Sequence, residues 1–160
     1  MQEIRLTKGR TAIVDDKDFE FLNQWKWRCV GVNPWLYVCR DRLVQEPKGK
    51  QIIYLHKFIL FKYDSDSKIV DHINGNVFDN RRCNLRVCNA WQNACNKRIH
   101  KGKQFKGVVP VRGKWRARIG LNYKRLHLGY FPTKEKAVDA YDKAAKKHFK
   151  EFANLNKVCS

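Results

Sequence analysis

A β-like run over residues 10–14 precedes a period-two alternation of apolar and polar residues along 25–29 and 36–41. Alternation of this kind turns one side of an extended chain toward a core and the other toward water, so each stretch predicts a strand. Asn33-Pro34 marks a turn between the second and third, which makes them a hairpin, and residues 47–50 form another turn before a strand over 51–55. Between the first two strands, Asp15-Asp16 offers an N-cap to a helix over 17–24, with Phe19, Phe21 and Leu22 facing inward. Residues 56–61 read as a short amphipathic helix that ends before Asp64-Ser65-Asp66-Ser67. In that helix His56 is read first as a hydrogen-bonded packing residue, with approach to a neighbouring site as the alternative.

The pattern changes after residue 68. Ile69 and Val70 deliver Asp71-His72 off the end of a strand, and an Asn- and Gly-rich turn follows. A second short strand covers residues 85–88, and a helix runs over 89–101 with Asn89 as N-cap and Trp91, Ala94 and Cys95 on its buried side. Asn93 and Lys97 are four apart and share a face of that helix. The polar, basic stretch 99–104 predicts a boundary. Beyond it, strands over 105–111, 114–121 and 125–131 are separated by turns at Arg112-Gly113 and Asn122-Tyr123-Lys124. Trp115, Ala117, Ile119, Leu126 and Leu128 fall on one face of this sheet, and Lys114, Arg116, Arg118, Arg125 and His127 on the other. A helix over 134–149 aligns Ala137, Ala140, Tyr141, Ala144 and Phe149, a stripe suited to cover the apolar face. The expected fold class is α+β in three parts: a β-rich segment (1–54), a strand–strand–helix unit (55–101), and a three-stranded antiparallel sheet packed on one helix (102–160).

Charge gives this arrangement a partner. The formal net charge is +19, and residues 97–160 hold 18 Lys or Arg against 4 Asp or Glu, whereas residues 1–96 hold 16 against 11. A cationic sheet interleaved with Trp, Tyr and His points to nucleic acid before membrane. No apolar run reaches the length of a membrane span and residues 1–5 lack a signal-like apolar region, so a cytoplasmic protein is expected. The six cysteines contain no C-x-x-C pair, which argues against disulfides and against zinc. Cys83, Cys88 and Cys95 keep a structural zinc open as an alternative.

The Asn-rich stretch carries the chemistry. Asp71 offers a carboxylate and Asn93 a neutral amide oxygen, donors suited to one hard divalent ion, Mg²⁺ first and Mn²⁺ second. His72, neutral near pH 7, suits a general base, and Asn84 suits a turn-fixing amide that holds the His72 loop. The same composition is also that of an ordinary polar turn.

Residues 55–98 resemble the HNH family of homing-type endonucleases. The resemblance is carried by Leu55-His56-Lys57, the run from Val70 to Asn76, Asn80-Arg81, Asn84-Leu85-Arg86 and Gln92-Asn93. It implies a ββα-metal fold, with His72 as general base, Asn84 as the structural middle member, Asp71 as the carboxylate ligand and Asn93 at the third, metal-binding position. It further implies hydrolysis of duplex DNA to 5′-phosphate and 3′-hydroxyl ends, by a monomer that nicks or by a dimer assembled on DNA, with no obligatory protein partner. Residues 105–156 resemble the Apetala/ethylene-response-factor DNA-binding domain, through Lys106-Gly107-Val108, the run from Gly113 to Ile119, Leu128-Gly129-Tyr130-Phe131, the run from Ala137 to Ala145, and Asn154-Leu155-Asn156. By that resemblance the sheet enters the major groove, with Arg112, Arg116, Arg118, Arg125 and His127 toward DNA and Lys106 at its start. Lys114, on the same cationic face, and Lys97, on the helix face of Asn93, are the further candidate DNA contacts. Val109-Pro110-Val111 replaces the family's basic first strand, and His127 stands where Trp is frequent. A non-catalytic DNA-binding regulator on a degenerate HNH scaffold is the alternative.

Overall fold

In a computed structural model of the chain, residues 1–32, 35–44, 49–62, 67–96, 105–121 and 124–156 are described. The turns expected at 33–34 and 122–123, the boundary at 99–104, and Lys97 lie outside them. The fold is mixed α+β, and the chain divides into two compact units, Met1–Ala90 and Trp91–Ser160.

The first unit begins with an antiparallel pair that alternation did not reveal: β1 (Gln2–Arg5) on β2 (Thr11–Val14). Helix α1 (Asp16–Leu22) follows. Asp15 is its N-cap by position only, because its side chain accepts instead from the Arg82 backbone N–H at 2.8 Å. Of the residues expected to face inward, Leu22 is buried and Phe19 is partly so, but Phe21 is 48% exposed. Strands β3 (Arg28–Val32), β4 (Trp35–Val44) and β5 (Gly49–Tyr54) form an antiparallel sheet in that order. β3 starts three residues later than the alternation at 25–29 implied. Trp27 instead sinks into the core at 1% exposure, its indole N–H donating to the Leu22 carbonyl at 2.8 Å. Gly49 and Lys50, expected in a turn, belong to β5.

Helix α2 (Leu55–Phe61) buries Leu55, His56, Phe58 and Ile59, and ends where Lys62 takes a left-handed conformation with φ 61°. Then β6 (Ile69–His72) pairs antiparallel with β7 (Leu85–Cys88). One hydrophobic core runs from Ile4, Leu6, Ala12, Val14 and Leu22 through Trp27, Val38 and Ile53 to Phe58, Val70 and Leu85. The β-rich segment and the β6–β7 hairpin therefore fold as one body. Removing a side chain such as Trp27 should cost about 3–5 kcal/mol.

The second unit takes most of helix α3 (Ala90–Asn96), whose buried residues are Cys95 and Asn96. Trp91 and Ala94, expected on the buried side, are exposed, although the Trp91 ring meets Phe149 edge-on at 5.7 Å. Strands β8 (Val108–Val111), β9 (Lys114–Leu121) and β10 (Lys124–Phe131) make an antiparallel sheet ordered β10-β9-β8. Helix α4 (Lys134–Phe149) covers it, started by Thr133, whose hydroxyl accepts from the Lys136 N–H. The buried stripe is Ala137, Val138, Tyr141, Ala145 and Phe149. Ala140 and Ala144 are its half-buried flanks rather than its centre. At Gly107, φ is +66° and a Cβ would sit 2.2 Å from the Arg118 carbonyl oxygen and 2.3 Å from the Tyr141 ring. Only glycine fits there.

Candidate functional site

Asp71 and His72 are the last two residues of β6 and are both buried. Pairing aligns Asp71 with Arg86 and His72 with Leu85. On that cross-strand pair the Arg86 guanidinium donates twice to Asp71 Oδ2, from Nε at 3.1 Å and from a terminal nitrogen at 2.8 Å. With the two side chains only 14% and 9% exposed, this ion pair orients the carboxylate rather than decorating a surface.

His72 is oriented from the other side. Its Nε2 lies 3.3 Å from Asn80 Oδ1. The Asn80 amide nitrogen donates to the Val77 carbonyl at 3.0 Å, which fixes Oδ1 as the atom facing the imidazole. Nε2 therefore carries the proton and Nδ1 the lone pair. Asn80 is 1% exposed, and its backbone N–H donates to Ile13 of β2 at 2.8 Å. Ile13 N–H in turn donates to the Phe78 carbonyl at 2.8 Å, so β2 grips the loop on both sides of Asp79. Burial lowers the His72 pKa, only partly opposed by the Asn80 hydrogen bond, and the ring is neutral at pH 7.

Asn84 ties the loop together. Its Oδ1 accepts the Asn74 N–H at 2.9 Å, while its amide nitrogen donates to Asn74 Oδ1 at 3.0 Å and to the Asp79 carbonyl at 2.7 Å. Asn74 Oδ1 also accepts from Asn76 N–H, and Asn76 Oδ1 from Phe78 N–H, two Asx turns in succession. Asp79 is 3% exposed and takes two hydrogen bonds from the Arg81 guanidinium, at 2.8 and 2.7 Å, and one from the Asn74 amide at 2.9 Å. The Arg81 hydrogen bond, more than any other influence, holds the Asp79 carboxyl below the usual range. Arg82 forks onto Asp18 of α1 at 2.8 and 2.9 Å.

Two members of this cluster carry more than their sequence roles suggested. His56, read first as a packing residue, is 5% exposed and meets the His72 ring at 5.3 Å in a T-shaped contact. Burial, then His72, then Lys57 push its pKa down to about 3, so the two facing imidazoles are both neutral. Asn80, noted only within a motif, is the residue that sets the His72 tautomer. The polar run before a Leu-Arg strand gave a signal for Asn80; for His56 the contact with His72 fits the second of its two sequence readings, approach to a neighbouring site.

Asn93 lies in α3, half-buried, and belongs to the second compact unit, whereas Asp71, His72 and Asn84 belong to the first. Among the described residues no group of three or more His, Cys, Asp or Glu is placed to hold a metal ion, and the five described cysteines are unpaired. Each of the two expected donors is of a type that a hard ion takes, the Asp71 carboxylate and the Asn93 amide oxygen.

In the second unit, Arg116 pairs with Val109 and with Tyr130, and Arg118 pairs with His127. Directly paired residues share a face, so Lys114, Arg116, Arg118, Arg125, His127 and Tyr130 lie on the side away from buried Ala117 and Ile119. A register shift between His127 and Gly129 lets both His127 and Tyr130 reach this side, with rings 4.9 Å apart. Leu128, expected on the apolar face, sits at the shift, and Leu126 is 46% exposed. Arg112 and Gly113, with φ 46° and 74°, form the tight β8–β9 turn. Lys106 turns the other way. Its ammonium donates to the Cys95 carbonyl at 2.9 Å, and burial lowers its pKa. That bond takes Lys106 out of the row of outward cations.

No family model matches the chain. A protein of Acanthamoeba polyphaga mimivirus, described as an uncharacterized HNH endonuclease, is 32% identical over 146 residues, spanning 88% of this chain and 75% of its own length. The chain belongs to the HNH endonucleases. Within this HNH protein, the aligned span takes in most of both compact units. No described helix is long and apolar enough to cross a membrane.

Proposed function

We propose that this HNH protein is a metal-dependent endonuclease of duplex DNA in which His72 is the general base. The observation that carries the reading is the buried His72, neutral, its tautomer set by Asn80, beside an Asp71 that Arg86 holds in place. Nδ1 of His72 would take the proton of the attacking water, and Asn80 would hold the ring as its charge changes. Asp71 and Asn93 would hold the ion, in the ββα-metal arrangement of the family. A bound Mg²⁺ or Mn²⁺ would stabilise charge on the phosphate and on the leaving 3′ oxygen. Asn84 would act through the loop it ties. The outward face of β9 and β10 would enter the major groove in the manner of an Apetala/ethylene-response-factor domain, with Arg112 and Lys114 at the turn on phosphates and Arg116, Arg118, Arg125 and His127 across the groove. A homing-type enzyme carried by a virus or other mobile element, with one such site per chain, is expected to nick.

The test is incubation of supercoiled plasmid with Mg²⁺ or with EDTA, wild type beside His72→Ala. Nicked or linear product in Mg²⁺ alone, lost in the variant, supports the reading. DNA binding without cleavage in any metal would instead establish the non-catalytic regulator.

A further inference from the structure

A cavity in the first unit, lined by no residue of the His72 loop, has a chemistry the hydrolytic reading does not use. It measures about 310 Å³ and is lined by Phe21, Trp25, Arg40, Arg42, Gln51, Ile53, Phe58 and Lys62. The β4–β5 register explains how it forms: Arg40 pairs with Ile53 and Arg42 with Gln51, so these four side chains share one sheet face. Helix α1 brings Phe21, the segment after it Trp25, and helix α2 Phe58 to that face. Phe21 and Phe58 stack at 5.7 Å, and Trp25 meets both edge-on at 4.9 and 5.5 Å.

Charge is what is out of place. The Arg40 guanidinium lies 4.5 Å above the Trp25 ring and 5.4 Å from Phe58, and its Nε is buried with no hydrogen-bond partner. Burial and then the neighbouring Arg42 lower its pKa. Arg42 and Lys62 bring two more cations to the same walls, and no described lining residue is acidic. Two exposed cations thus stand beside a partly desolvated arginine whose charge is met by ring faces alone, a set that an anion would complete. Phe21, at 48% exposure, leaves an aromatic surface at the rim. The volume stands at the lower end of small-ligand pockets, which suits one nucleotide and excludes a duplex.

We propose that this cavity binds a single nucleotide, its base on the Phe21–Trp25 aromatic wall and its phosphate between Arg42 and Lys62. Cations beside stacking rings are the general means of holding single-stranded nucleic acid without reading sequence. The occupant is either a free nucleotide or one unpaired nucleotide of a DNA strand.

The assay follows the Trp25 indole N–H by NMR, assigned with Trp25→Phe, in EDTA so that no cleavage intervenes and failure of the nuclease reading leaves the result unaffected. Probes are a 5′-phosphorylated thymidine dinucleotide, thymidine monophosphate, an abasic dinucleotide analogue, inorganic phosphate and a short duplex. The dinucleotide should shift the Trp25 signal saturably, and the double variant Arg42→Gln/Lys62→Gln should weaken it by about tenfold or more. Phe21→Ala, at an exposed position, should erase the advantage over the abasic analogue. Equal affinity for monophosphate and dinucleotide assigns a free nucleotide, and tighter binding of the dinucleotide assigns a strand. Unchanged binding in the double variant, equal binding of the abasic analogue or of inorganic phosphate, or an equal Trp25 response to duplex overturns the proposal.

Discussion

The loop around His72 and the outward face of the β8–β10 sheet are both rich in polar side chains, and they are organised in opposite ways. In the loop, Asn74, Asp79, Asn80 and Asn84 are tied to one another or to backbone, and Asp79, Asn80 and Asn84 are almost fully buried. On the sheet, Lys114, Arg125 and His127 are exposed, and Arg116 and Arg118 are half-covered. Interactions of the first kind are shielded from salt and fix geometry within tenths of an ångström; those of the second are screened and give attraction over distance.

The contrast predicts that loop variants change rate or stability while sheet variants change affinity and its salt dependence. His72→Ala should lower plasmid cleavage by about 10²–10⁴-fold with affinity almost unchanged, measured by gel assay beside a binding titration. Undiminished cutting would remove His72 as the base. Asn84→Ala strips three hydrogen bonds and leaves the Asn74 N–H and Asp79 carbonyl to find other partners, at about 2–4 kcal/mol in denaturant unfolding. A loss below 1 kcal/mol would mean the loop is held elsewhere. Replacing Arg116 and Arg118 together by Gln should reduce the slope of log affinity against log salt by about 2 while cleavage at saturating DNA stays near wild type. If Arg116 instead reads a base edge, Arg116→Ala should cost about 1–3 kcal/mol on preferred sites and less elsewhere.

The smallest effect is in acid. The Asp79 carboxyl is held below its unfolded value, so it contributes stability that is fully present above the unfolded pKa and declines as pH falls through the folded one. Asp79→Asn should therefore flatten the acid limb of the stability profile below about pH 4. An unchanged limb would shift that role to other carboxylates.

Much of this was legible in the chain. β9 and α4 run over the residues that alternation and helical spacing predicted, because strong local periodicity and the Thr133 cap both favour them. Asp71 and His72 end a strand as expected, since two β-branched residues precede a turn-forming run. What was not legible depends on pairing at a distance. β1 has only one buried residue, Ile4, and so shows no alternation until β2 lies beside it. His56 meets His72 only once α2 and β6 share a core. The inward turn of Lys106 was hidden because its acceptor is a backbone carbonyl on another element, which no side-chain pattern encodes.

The two backbone hydrogen bonds between Ile13 and the loop also limit how the nuclease motif can be transplanted. A graft of residues 55–101 alone would keep every side chain named in the motif and lose the strand that grips Phe78 and Asn80. In hydrogen exchange the Asn80 amide should be among the slowest of the loop and should track the N-terminal strands rather than its own neighbours. The heritable unit of this HNH protein is thus longer than its signature, beginning at the β1–β2 pair, whose first residue is Gln2, far ahead of the Asp71-His72 pair.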